Sequence, residues 1–422
     1  MAEQVSAGQA DTARIIAAVR AGVSTRRELS TVLGLGRAPV TQRLEALLAA
    51  GLLVEGEFAA STGGRAAREY RFNDSGGVAL AARIGIESYR VAVTDLSGAV
   101  ISAADGEFLL GAEPAAVLSA VERDLRTLFS AIAAPAPVWG VGVGIAGTIE
   151  FTTGRPIAPL SLPGWHGYNV RQQLSRAFNA PCWVDNDANL MALGELRAGA
   201  GRSVENLVFI YTAGGVGAGI VSHGQVHRGE TGGAGDIGHI HVSDDPDRVC
   251  VCGSTGCLSA VIGSLAIEQA ALRARQPAVG RDPSTDQTWT YRDVIQNAAS
   301  GDQVAVAIVD EAAVALGGTI AMLVNVLNPA VVVLGGSLVE GDGRVLSRVR
   351  EIVYRRSTRL AAEHLSIELS SLGPDAGIMG AAQLVVEQAL RSPTFLKWYR
   401  QDGRSAHPGP LADLAESVDQ LG

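Results

Sequence analysis

Apolar residues recur at helical spacing through the first fifty positions, and the pattern then shifts to short apolar runs alternating with longer amphipathic stretches. Ile15, Ile16 and Val19 predict a helix over 12–20. Ser24 is a candidate N-cap for a second helix ending at Leu33, with Glu28 in its first turn. After the turn Gly34-Leu35-Gly36, Val40, Leu44, Leu47 and Leu48 line one face of a third helix over 38–50. Pro39 suits its first turn and Gly51 its end. Two strands follow, 52–55 and 69–72, on either side of the turn Ser61-Thr62-Gly63-Gly64-Arg65.

Helix, glycine turn, helix and hairpin is the layout of a winged helix-turn-helix, here over residues 1–75. Arg37, Thr41, Gln42 and Arg43 are the polar side chains of the recognition helix placed to meet DNA, and Arg65 tips the wing with Arg68 nearby. Nine arginines oppose eight acids in this segment, against a whole-chain net charge of −9. The chain as a whole is therefore no general polyanion binder, and any nucleic-acid contact is local. The alternative is a small helical domain that binds protein.

Downstream, strands are predicted at 78–86, 89–96, 138–145 and 182–184. Further strands are expected at 207–212, 217–221 and 331–334. Helices are expected at 113–133, 169–178, 188–198, 258–275, 292–299 and 304–327. Strands alternating with helices argue for α/β layers, with ligands expected at the glycine-rich strand ends. The chain has 422 residues, 47% hydrophobic and 18% charged, enough for a substantial core. No apolar leader opens it, and the apolar run 312–326 contains Asn325 and stops at Asn328-Pro329, short of a membrane span. A cytoplasmic protein with no membrane partner is expected.

Three of the four cysteines, Cys250, Cys252 and Cys257, cluster just after His239 and His241. One His with three Cys makes a closed tetrahedral zinc shell, with no position left for substrate. A structural Zn²⁺ is expected, with free cysteines or a disulfide as the alternatives. His239 and His241 both lie close enough in sequence to be the histidine ligand.

Taken in order, GVGIAG (142–147), LPGW (162–165), VDNDAN (184–189), GDIGH (235–239), CVCGSTGC (250–257) and NPAVVVLGG (328–336) resemble the ROK family of repressors, open reading frames and sugar kinases. The resemblance runs from Arg26 to about Gln388, and STGGR (61–65) looks like the signature that follows the recognition helix of its regulators. It implies an α/β, actin-like (ribonuclease-H-like), two-lobed sugar-kinase fold behind the winged domain. The lobes are expected at 76–198 and 199–391, with a tail at 392–422. Asp187 matches the family's base toward the sugar hydroxyl, although as a bare sequence feature it also reads as a helix N-cap. Ser161, Asn186, Asp236 and His239 match further sugar-side positions, and His239, Cys250, Cys252 and Cys257 match the zinc ligands.

The departures from that pattern carry information. Kinase members have Asp-x-Gly-Gly-Thr in the first hairpin, where this chain has Arg83-Ile84-Gly85-Ile86-Glu87-Ser88. Their Gly-Thr-Gly loop is here Ala213-Gly214-Gly215. Ser161 replaces an Asn and Ser259 a Glu among the sugar contacts. Phosphoryl transfer needs a metal and positioned donors, so no ATP and no working catalytic residue are expected, and Asp187 remains as a vestigial base. The expected function is a transcription regulator, of repressor type, that answers to a sugar, sugar derivative or sugar phosphate and grips an inverted repeat in double-stranded DNA as a homodimer or homotetramer. The alternatives are an active sugar kinase with a DNA-binding head, or a scaffold. Trp165 is a candidate sugar-stacking or core residue, 285–290 a candidate cover for the cleft, and Leu411, Leu414, Val418 and Leu421 a short apolar stripe in the tail.

Overall fold

The computed structural model describes residues 7–58, 67–132, 136–275, 288–341 and 343–392. Arg65 with its turn, residues 285–287 of the polar loop, and the tail stripe lie outside the described residues.

The chain opens with α1 (Ala7–Arg20), α2 (Arg26–Leu33) and α3 (Arg37–Ala49), then the antiparallel pair β1 (Leu53–Phe58) and β2 (Arg68–Phe72). The N-cap of α2 is Thr25, not Ser24. The Glu28 N–H donates to Thr25 Oγ1 at 3.3 Å, and the Thr25 N–H donates to the Glu28 carboxylate at 3.0 Å, a complete capping box. The Ser24 carbonyl instead accepts from the Tyr70 N–H at 2.7 Å and ties the helix pair to the hairpin. Gly34 closes α2 in the left-handed conformation, φ 65°. Ile15, Ile16, Leu29, Val40, Leu44 and Leu47 are all fully buried at the centre of this unit.

The first lobe contains β3 (Val78–Ile84), β4 (Ser88–Asp95), β5 (Val100–Glu107), α4 (Pro114–Ser130), β6 (Val138–Ile145), β7 (Ile149–Glu150), β8 (Arg155–Pro156), α5 (Val170–Phe178), β9 (Cys182–Asn186) and α6 (Asp187–Ala198). Next come β10 (Leu207–Thr212), β11 (Val216–Ser222), β12 (Gln225–His227), α7 (Ser259–Ile262), α8 (Ser264–Ala274), α9 (Tyr291–Ala299), α10 (Gln303–Leu327) and β13 (Val331–Gly335). The described chain closes with α11 (Ser337–Glu340), α12 (Gly343–Arg356), α13 (Arg359–Ala362), β14 (Ser366–Leu369) and α14 (Ala376–Arg391).

The two five-stranded sheets run β5-β4-β3-β6-β9 and β12-β11-β10-β13-β14. In each, a three-stranded antiparallel meander is followed by two parallel strands, so one topology occurs twice. α6 and α14 pack against each other between the sheets. Their backbones meet so closely that a Cβ on Gly194 would fall 2.3 Å from the Ala376 carbonyl oxygen, and one on Gly380 would fall 1.7 Å from that of Leu190.

α10 exceeds the apolar run expected from the sequence. It is long and apolar enough to cross a membrane by length and composition. However, Ile308, Ala312, Leu316, Ile320 and Val324 recur every fourth residue and are buried in the second-lobe core. On its other face Asp310 pairs with Arg348 at 3.1 Å and Glu311 pairs with Arg248. These contacts mark a core helix.

Candidate sugar cleft, metal loop and DNA-binding head

The chain reversals at Gly253 (φ 88°) and Gly256 (φ 72°) fold the cysteine loop on itself. His241 pairs with Cys257 through the backbone, and Val249 with Thr255. The ligand atoms of His239, Cys250, Cys252 and Cys257 consequently all lie within 4.8 Å of one another. His239 Nδ1 is 3.4 Å from Cys250 Sγ, and Cys252 Sγ is 3.7 Å from Cys257 Sγ. Thiolates at ~2.3 Å from a shared tetrahedral ion stand about 3.8 Å apart, so the set fits a metal ion. His241 is outside the group: its side chain is 58% exposed and faces Asp244 at 3.9 Å. The Ser254 backbone N–H holds the Cys252 thiol down at about 6, while burial raises Cys250 and pushes Cys257 up to about 12. A cation supplies the charge that lets buried thiols ionise. His239 Nε2 lies 4.0 Å from Asp236 Oδ1, beyond direct hydrogen-bond distance.

Between the lobes lies a cavity of about 430 Å³. Ser161, Asn186, Asp187, Asp236 and His239 all line it, so five positions spread over 79 residues converge, and Ser259 lines it as well. Asn186, rather than Asp187, caps α6: its Oδ1 accepts from the Asn189 N–H at 3.1 Å and its Nδ2 donates to the Gly147 carbonyl at 2.8 Å. The capping role read for Asp187 thus falls to its neighbour, and Asp187 points its carboxylate at the cleft. Its partner is Arg83 of β3, at 3.3 Å. Arg83 also stacks 4.8 Å over the Tyr211 ring of β10. Burial alone would lower the Arg83 pKa, but the Asp187 carboxylate and Tyr211 more than offset it and leave it raised. Ile86 reaches the second glycine loop, its Cδ1 3.3 Å from where a Cβ on Gly214 would sit.

Trp165 is 1% exposed and belongs to the first-lobe core with Leu162, Val170 and Leu174, so it is a core residue and does not face the cleft. Sequence reasoning missed the pair beside the site. Asp185, 1% exposed, accepts two hydrogen bonds from Arg228, from Nε at 2.9 Å and Nη2 at 2.6 Å. Arg228 lies 3.8 Å over the Phe151 ring, so this ion pair joins β9 of the first lobe to the segment after β12. The only sequence signal was a second aspartate in VDNDAN.

In the head, Arg37 and Gln42 are exposed on α3. Thr41 is half-buried and its hydroxyl donates to the Arg37 carbonyl at 2.9 Å. Arg43 is half-buried, with its Nε shielded from water. Arg68 is engaged with Glu55 and lies 4.8 Å over Phe58. The head is not a loose appendage. Phe72 meets Trp139 of β6 edge-on at 6.1 Å. Arg20 of α1 stacks 5.5 Å over Phe72 and donates to Gln383 of α14. Gln383 in turn donates to the Ser97 carbonyl at 2.6 Å. Ala382, Val385, Val386, Ala389 and Leu390 of α14 share one apolar cluster with the head.

The ROK family model matches residues 79–388, and the chain belongs to that family. It is 28% identical over 388 residues to the xylose repressor of Caldicellulosiruptor bescii, covering 88% of this chain and 94% of that protein. It is 34% identical over 253 residues to the glucokinase of Halalkalibacterium halodurans, covering 59% of this chain and 76% of that protein. A crystal structure of a ROK family transcriptional regulator, a homologue of the Escherichia coli Mlc protein, superposes with a TM-score of 0.77 at 26% identity, covering 93% of this chain and 99% of that one. The regulators therefore match head and body together, while this kinase matches a shorter stretch.

Proposed function

We propose that this protein is a DNA-binding transcription regulator of repressor type, whose sugar-kinase cleft senses a sugar or sugar derivative and no longer phosphorylates it. The observation that carries the reading is the Arg83–Asp187 pair. Arg83 takes up a carboxylate oxygen of Asp187 at 3.3 Å, and the carboxylate can still accept a hydrogen bond from a sugar hydroxyl. Arg83 also occupies the first-hairpin position where a metal-binding carboxylate would be needed, and Ile86 crowds the second glycine loop. Asn186, Asp187, Asp236, Ser161 and His239 would hold the sugar. A structural zinc on His239, Cys250, Cys252 and Cys257 would fix the loop that carries Asp236.

Arg37, Thr41 and Gln42 would meet the major groove, with Arg43 at the edge of that face and Arg65 in the wing. The protein would act in the cytoplasm, and a homodimer or homotetramer would place two heads on an inverted repeat. α14 offers the route from cleft to head. A Cβ on Gly377 in its first turn would lie 2.9 Å from Arg83 Cδ, and Gln383, two turns on, holds Arg20 of the head. The 34% identity to a glucokinase favours one rival reading, an active kinase with a DNA-binding head. A coupled phosphorylation assay over a panel of hexoses, pentoses and N-acetylhexosamines decides between them. No turnover is expected, and robust turnover with Mg-ATP would refute the sensor reading.

A further inference from the structure

The polar floor of the cleft has an apolar mouth. Leu160, Val249, Val251 and Leu265 all line the cavity, yet they are 48%, 67%, 65% and 57% exposed. They come from three separate segments: the loop before LPGW in the first lobe, the metal loop on both sides of Cys250, and the first turn of α8. Lone exposed aliphatic residues need no explanation, but four that converge on one cavity mark a surface meant to be covered.

We infer that the cleft takes a sugar carrying an apolar aglycone, an alkyl or aryl glycoside, in preference to the free monosaccharide. The inference rests on reading the cleft as a sugar site and adds the class of sugar. Asn186, Asp187, Asp236 and His239 offer hydrogen bonds to hydroxyls, while the aliphatic rim offers none and gains only by covering apolar surface. A ligand that satisfies both regions is polar at one end and apolar at the other. The cavity, about 430 Å³, lies in the range that encloses ligands of drug size. The competing occupant of the rim is the rim itself, with Leu160 of the first lobe meeting the two valines and Leu265 of the second when the lobes close.

The test is calorimetric titration of the full-length, zinc-loaded protein. The ligands are glucose, xylose and N-acetylglucosamine, each as the free sugar and as both anomers of its p-nitrophenyl and butyl glycosides. At least one glycoside is expected to bind about tenfold or more tightly than its parent sugar. The double variant Leu160→Ser/Leu265→Ser, and separately Val251→Ser, should lose that increment and keep the affinity for the free sugar. Glycosides binding no better than free sugars would overturn the inference and leave the sugar site standing. Variants that weaken free sugar and glycoside alike would also overturn it, because the rim would then be a closure contact. If no sugar or glycoside binds at all, both the inference and the sugar-site reading fail.

Discussion

Arg83 sets what the cleft can do with Asp187. The two side chains are 19% and 10% exposed, so each is largely removed from water and depends on the other for its counter-charge. Arg83→Ala is expected to cost about 3 kcal/mol in urea unfolding, because it strands a carboxylate in a mostly closed site. Arg83→Ala/Asp187→Asn should recover much of that loss, and additive losses would mean the pair is incidental. At the cysteine loop, Cys252→Ser removes one of the four candidate ligands. Bound zinc should fall well below one ion per chain by a metal-release assay, the thermal midpoint should drop, and ligand response should uncouple from DNA release. Unchanged zinc content would remove Cys252 from the ligand set. The cluster of His239, Cys250, Cys252 and Cys257 was readable in the sequence because clustered thiols and imidazoles have little other use, and His241, the competing histidine, is 58% exposed and faces Asp244. The Arg83–Asp187 contact was not readable: positions 104 residues apart meet only through the register of β3, β6 and β9.

Elements with a clean apolar period were legible. The strand expected at 138–145 is observed at those bounds, and the helix expected from 292 begins one residue earlier. Some elements that escaped notice lack such a period, although α12 has one, with Val345, Val349, Ile352 and Val353 on its buried face, and was missed as well. β5 (VISAADGE) and β14 (SIEL) are edge strands, held by pairing with a neighbour more than by their own composition. α14 is buried on most sides, so its apolar residues run together with no polar stripe to mark a helix. Yet α14 joins cleft and head, and Phe72 against Trp139 is the apolar half of that joint. Phe72→Ala is expected to cost about 3–5 kcal/mol. The loss should fall on the head, appearing in calorimetry as a separate, earlier transition ahead of the body. A single transition that moves as one would show that head and body do not unfold separately.

The start of α2 carries a pH signature. The Thr25 backbone N–H, and then its hydroxyl, hold the Glu28 carboxyl below its usual range. A lowered folded pKa stabilises above the unfolded value and is lost as pH falls through the folded one. The capping box should therefore be fully effective at neutral pH and fail in acid. Thr25→Ala should destabilise the head by about 1 kcal/mol at pH 7. The same change should cost less once Glu28 is protonated, as read by helix circular dichroism.

At the scale of the whole molecule, one sheet topology occurs twice, a cavity lies between the copies, and a nearly neutral head is anchored to the helix that runs between them. The net charge of −9 opposes general, charge-driven binding to DNA by the chain as a whole. The most direct test is fluorescence anisotropy of the full-length protein on a DNA duplex enriched from a random pool, titrated across salt and then with the glycoside and free-sugar panel. Selective binding to an inverted repeat, a log–log salt slope of several units, and release by a cleft ligand without ATP are expected. Binding that is absent or indifferent to sequence, or that responds only when Mg-ATP is added with the sugar, would contradict the proposed function.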